Sequence, residues 1–322
     1  MPNLKCFLLG LLLLATFANC SNAQSSANGE ATKLKELKSE KVIKEIKKEK
    51  SIAYVNTIFD GDFDFSQVGE PEVSSISYAT VDVKQEIFFF NCVFLGKVTT
   101  NGKLQNSKTK IRTRFDGNVH FSECEFRKEV DFSKSVVNGD LSFAKSKFDA
   151  PASFNGILVN GLNALFYEVE ANDNFNFAGT TIRGNISFLD GVFKKNFNFS
   201  GLRANNVILN NLNAESRFAL SEATIDGILQ INYATFKGEC NLSFSKFSDR
   251  VEILHSNFEK LFTIDNSHFW GTAKFNKSSF ADSIVTKDAQ FWMTPEMKEI
   301  EKNTAEPIYV EVKNSNTILI SQ

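Results

Sequence analysis

The feature that most constrains this chain is a hydrophobic period of eleven residues, because neither the 3.6-residue repeat of a helix nor the two-residue repeat of a single strand generates it. One series runs Phe126, Val137, Phe148, Val159, Ala171, Ile182, Phe193, Ala204, Ala214, Ile225, Phe236, Phe247, Phe258, Phe269, Phe280 and Phe291. A second runs Phe121, Phe132, Phe143, Phe154, Leu165, Phe177, Phe188, Phe199, Leu209, Leu220, Ile231, Leu242, Ile253, Ile264 and Phe275. The two interleave at alternating steps of about five and six residues. They share one insertion, between Leu165 and Ala171, and one deletion, between Ala204 and Leu209, as a single continuous coil requires. Every member is apolar. In a chain that is 42% hydrophobic, a run this long arises by chance about once in 10^12 before allowing for choice of frame.

Two positions before each anchor sits a second inward slot. It is small before the first series (Cys124, Ser146, Thr180, Ser245, Ser256, Ser267) and larger before the second (Val130, Leu141, Ile186, Val251). Alternate residues therefore point inward, which is the geometry of strands. Glycines recur near the second series, at Gly117, Gly139, Gly161, Gly184, Gly227, Gly238 and Gly271. Corners that need positive φ or close backbone approach explain them. Two units of five and two of six give a coil of about 22 residues, which suits a four-sided solenoid. A leucine-rich repeat would need an L-x-x-L-x-L strand signature, which is absent.

These units resemble the pentapeptide-repeat family, in its Phe-rich branch with G-[DN]-x-x-F-x-x-[AS]-x-F spacing. The spacing stands here as Gly117-Asn118-Val119-His120-Phe121-Ser122-Glu123-Cys124-Glu125-Phe126, and again over Gly139 to Phe148 and Gly184 to Phe193. The resemblance covers about 115–292, with weaker copies at Phe59 to Phe65 and Phe89 to Phe94. It implies an all-β fold, a right-handed parallel β-helix of four sides. The six-residue corners depart from a strict five-residue repeat.

The expected organisation has four parts. Residues 1–23 read as a signal peptide, with an apolar run through Leu8 to Leu14 and a small-x-small cleavage site at Ser21-Asn22-Ala23. The run is too short to span a bilayer. A lipid anchor at Cys20 is the rival reading, but Phe17 and Asn19 fit a lipobox poorly. Residues 24–58 form a polar linker and an amphipathic capping helix within Glu30 to Lys50. Residues 59–292 are the β-helix, irregular at 66–86 and 95–114, where loops leave the coil as candidate recognition elements. Residues 293–322 form a C-terminal cap: a short helix from Thr294-Pro295-Glu296 to about Lys302, then a hairpin built on Ile308, Val310, Val312, Ile318 and Ile320.

Three cysteines remain in the expected mature chain, Cys92, Cys124 and Cys240. Their spacing is not that of a zinc site, and free core thiols are the simpler reading over one disulfide. His120, His255 and His268 project outward from different places, so neither a catalytic triad nor a His-metal site is expected. Asp60, Asp62 and Asp64 alternate, but Phe65 stands where a calcium loop needs glycine. No cofactor and no enzymatic activity are expected.

A net charge of -2 gives neither the basic footprint of a nucleic-acid binder nor the acidic surface of a DNA mimic. That disfavours the topoisomerase-binding mimicry that the resemblance brings to mind. A carbohydrate-active β-helix enzyme is disfavoured because no acidic cluster with an attendant Lys or Arg occupies one face. The remaining expectation is a non-catalytic, extracytoplasmic scaffold that binds an unknown protein or glycan. Trp270 and Trp292 are its candidate binding residues: each follows an inward Phe, and they lie one coil apart. Either the closing helix covers the two indoles, or they form an open aromatic platform.

Overall fold

The computed structural model describes residues 34–48, 52–73, 75 and 77–302, and the backbone of the strands Ile308–Val312 and Ile318–Ser321. The expected signal peptide, its cleavage site after Ala23 and Cys20 lie outside these residues. Over the described region the chain winds as a parallel β-solenoid. One coil shows its four sides: Glu125–Phe126 on face one, Val130–Asp131 on face two, Val136–Val137 on face three and Leu141–Ser142 on face four. Each strand pairs in parallel with its counterpart one coil on, Phe126 with Phe148, Val130 with Ala152, Val137 with Val159 and Leu141 with Ala164. Face one stacks twelve strands and face two stacks ten. Faces three and four join into one sheet, because the strands Thr181–Ser187 and Arg203–Ile208 run unbroken around their shared corner.

The inward positions make one continuous core. Every member of the first anchor series is buried, and so is every member of the second except Leu165. The face-four anchor of that coil is Phe166, not Leu165: its ring stacks between Phe143 at 5.6 Å and Phe188 at 4.8 Å. The extra residue of this coil therefore falls earlier, at the corner holding Leu162, whose side chain is 75% exposed. Bulging one residue outward there keeps the anchors in register. The deletion lies between Ala204 and Asn206, where the ladder from Ile182 and Asn185 shifts by one residue.

The small slot does more than make room for the rings. Ser256 Oγ accepts from the Ala234 amide at 3.1 Å and donates to the Ile231 carbonyl at 2.8 Å. Ser146, Ser245 and Ser267 repeat the arrangement, so buried corner amides that the strand ladder cannot reach are satisfied by a hydroxyl from the next coil.

Two kinds of corner close each coil. The corner from face four to face one carries a left-handed residue, as at Glu123, Lys145, Glu168 and Asp190, with φ between 53° and 56°. Glycines of the expected series take the other kind. A Cβ on Gly161 would stand 2.2 Å from the Gly139 oxygen, and one on Gly184 would stand 2.1 Å from the Leu162 oxygen. Close backbone approach, not positive φ, is what requires glycine there.

At the N-terminal end the strand Lys35–Lys38 pairs in parallel with Thr57–Asp60, so stacking begins before residue 59. The helix Ser39–Lys47 follows and buries Val42, Ile43 and Ile46. The irregular stretches are not simple loops. Tyr78–Val83 and Lys110–Phe115 pair in parallel as an extension of face three, and each folds back antiparallel, on Glu72–Val73 and Asn101–Lys103 respectively. Consecutive coils thus carry stacked hairpins.

The expected helix from Pro295 does not form. Glu296 and Glu301 donate their amides to Ala273 and Ser278, and the carbonyls of Glu296 and Lys298 accept from Phe275 and Lys277. Stacking satisfies these groups on the coil beneath, where a helix would have left that coil's edge open. Glu301–Lys302 then pairs with Ser279–Phe280, Ile308–Val312 adds to Gln290–Phe291, and Ile318–Ser321 pairs antiparallel with Ile308–Val312.

Candidate binding surface

Trp270 and Trp292 lie on face three, each one residue past an inward Phe. Their backbone amides continue the ladder to Phe247 and Phe269 at 3.0 and 2.9 Å. That register places the indoles one above the other, with centroids 5.3 Å apart and planes 33° apart. In place of a covering helix, the chain continues its coil past them, and they remain 38% and 36% exposed. His268 adds a third ring, 5.6 Å from Trp270 and 6.0 Å from Trp292. Sequence reasoning set His268 aside as an isolated histidine. Its position two residues before Trp270 on the same strand was the signal that both side chains leave on one side. Met293, half exposed, lies next to Trp292 in sequence. The arrangement offers flat aromatic area with polar edges, suited to stacking against an apolar ring or a sugar face.

The other histidines sit apart. His120 packs against Phe88 on face four, and burial holds its imidazole below the ordinary value although Asp140 and Glu86 oppose this. His255 stacks on Tyr233 at a corner, with centroids 4.8 Å apart.

Asp60, Asp62 and Asp64 do not converge. Asp60 pairs with Lys38, Asp62 accepts the Lys97 amide, and Asp64 caps the Phe65–Gln67 turn through the Ser66 amide. Among the described residues no group of three or more His, Cys, Asp or Glu side chains is placed to hold a metal. A shallow concavity lined by His255, Asn257, Lys277, Ser279, Glu299 and Glu301 has its Lys277 ammonium 3.7 Å from Glu299.

Cys92, Cys124 and Cys240 are free and buried. Cys92 and Cys124 occupy the small slot of neighbouring coils, while Cys240 lies on face two between Phe218 and Phe262. Burial raises the thiols of Cys124 and Cys240 well above the ordinary range, which makes them inert packing groups.

Four stacked columns, anchor rings at each side and alternating inward positions define the class: a quadrilateral β-solenoid built from repeats of about five residues. Residues 111–157 match the family model of pentapeptide repeats (9 copies). The matched segment carries pentapeptide repeats, and the same Phe-rich register continues through the solenoid on both sides of it. No curated protein and no solved structure matches it. No helix among the described residues is long and apolar enough to cross a membrane.

Proposed function

We propose that this protein is a non-catalytic scaffold, exported to the cell envelope or beyond, that engages a protein or glycan partner through the aromatic platform of Trp270, Trp292 and His268. The carrying observation is the exposed, stacked indole pair, in a fold whose interior is filled by side chains and whose family is in general a non-enzymatic scaffold. Export rests on the leader-like residues 1–23.

Intrinsic fluorescence tests the platform directly, since the chain holds 2 Trp. Red-shifted emission, readily quenched by iodide and altered by one member of a glycan or envelope-protein panel, supports it. Blue-shifted emission shielded from iodide defeats it. For export, the intact mass of the native protein should correspond to a chain beginning at Gln24. A diacylated Cys20 would mean an anchored lipoprotein, and an uncleaved chain recovered from the cytoplasm would overturn the export reading.

A further inference from the structure

Face four differs from the other sides in what it shows to solvent. Its outward positions are the residue before each anchor and the residue after it. From Ala53 to Asn210, across seven successive strands, none of these positions carries a carboxylate, ammonium or guanidinium group. Phe88, Phe90, Leu165, Tyr167, Leu189 and Ile208 stand there, all part-exposed, with His120, Ser122 and Ser142 on the two strands between Phe90 and Leu165. Faces one and three carry charge in their outward rows, and face two shows polar Ser153, Asn155, Asn176, Asn198 and Asn241 where face four shows apolar groups. Arg127 pairs with Glu125 and Asp149 and Lys194 with Glu170 on face one, and Arg114 pairs with Asp82 on face three. The edges of face four are polar: Lys145 lies 3.7 Å from Glu168 on one, and Asn163 binds Asp140 on the other. An apolar strip with a polar rim is the anatomy of a protein interface, not of a solvated sheet.

We infer that this strip is the contact between two copies of the chain, packed face four to face four. Three properties select a second copy. Rows of side chains repeat every ~4.8 Å along the strip, so ridges of one copy seat between ridges of another solenoid with the same repeat. A two-fold contact sets one patch against itself, which an uncharged strip tolerates and a charged one does not. Seven rows at that spacing, on a side about five residues wide, give roughly 500–600 Å² per copy, so a pair buries about 1,100 Å² and clears the lower bound for a specific interface.

Sedimentation equilibrium of the mature chain should give a dimer. Leu165→Lys and Ile208→Glu each place an unpaired charge inside the strip and should weaken the dimer by roughly 100-fold or more. Both side chains point outward, so circular dichroism and melting of the monomer should be unchanged. Thr235→Lys on face one, and Trp270→Ala on the aromatic platform, should leave the dimer intact, which separates this contact from the platform. A photo-crosslinking residue at Tyr167 should join two copies through face four. A chain that stays monomeric at every concentration, a dimer that survives both charge substitutions, or crosslinks that miss face four would overturn the inference.

Discussion

Replacing Phe258 by alanine probes the anchor stack at a well-determined point. The ring is fully buried, with Phe236 at 5.1 Å and 1° on one side, Phe280 at 5.0 Å and 6° on the other, and Phe262 at 4.6 Å. A buried phenylalanine withdraws about 150–200 Å² from water, or about 4–5 kcal/mol at 25 cal/mol per Å², and an extended unfolded reference makes that an upper figure. Collapse around the void is blocked. The backbones carrying Phe236 and Phe280 are held at rung spacing by Asn257 N to Ala234 O at 2.8 Å, Glu259 N to Phe236 O at 2.9 Å and Ala281 N to Phe258 O at 2.8 Å. The neighbouring rings cannot close the gap without breaking the ladder, so the loss should be about 3–5 kcal/mol. Equilibrium denaturation in urea should show it as a lower midpoint, or as an early transition of the adjoining coils, because each repeat is stabilised mainly by its neighbours. Tyr233→Ala, at a corner where the side chain is 62% exposed, is the control and should cost far less. A Phe258→Ala protein that unfolds like the parent, or like Tyr233→Ala, would refute the register.

Ser256→Ala should cost about 1–3 kcal/mol despite the small volume change, since the buried Ala234 amide loses its acceptor; chemical denaturation measures it. Phe244→Asn should raise the melting temperature, gaining about 0.5–1 kcal/mol: Phe244 holds φ 59° at a corner and is 57% exposed, so asparagine relieves left-handed strain at little loss of burial. His120 supplies a pH dependence. Burial depresses its folded-state pKa, so the unfolded chain binds the proton more readily. The stability is fully present above the unfolded value near 6.5 and is lost as pH falls toward the folded value. Melting from pH 8 to 5 should therefore decline more steeply for the parent than for His120→Gln, and parallel curves would refute the assignment.

The core was legible because a fixed period leaves little freedom: once Phe126 and Phe148 are placed one coil apart, alternation dictates which neighbours turn inward. The one misplaced anchor shows the limit. Leu165 and Phe166 are both apolar, so the pattern tolerates the insertion on either side of them, and only packing puts the extra residue at Leu162. The closing helix failed for a different reason. Thr294-Pro295-Glu296 is a genuine local helix signal, but Ala273 and Phe275 on the coil beneath offered the backbone of Glu296 a full set of partners, and tertiary pairing overrode propensity. The hairpins carry a local signal of their own. Tyr78 to Val83 and Ile111 to Phe115 alternate as strands within stretches read as loops. The indole pair was legible from its 22-residue spacing, whereas the charge-free strip of face four was not. Recognising it requires the outward rows of seven coils to be aligned, and the hairpin insertions and Leu162 break that alignment in sequence.

In a solenoid of this kind the interior is spent on its own stack, so recognition falls to outward positions, where the repeat imposes little on side-chain identity. Departures from a mixed, charged surface therefore carry the information that a cleft carries in an enzyme. Three stand out: the stacked hairpins Tyr78–Val83 and Lys110–Phe115, the strip on face four, and the rings of His268, Trp270 and Trp292 on face three. The hairpins extend face three and the strip runs along its neighbour, both toward the N-terminal end, while the rings sit near the C-terminal end. Two copies joined through face four would keep face three of each open to solvent along its length. The same rigid ladder would then hold two aromatic platforms at a fixed spacing, an arrangement that favours a repetitive or multivalent ligand over a single small molecule.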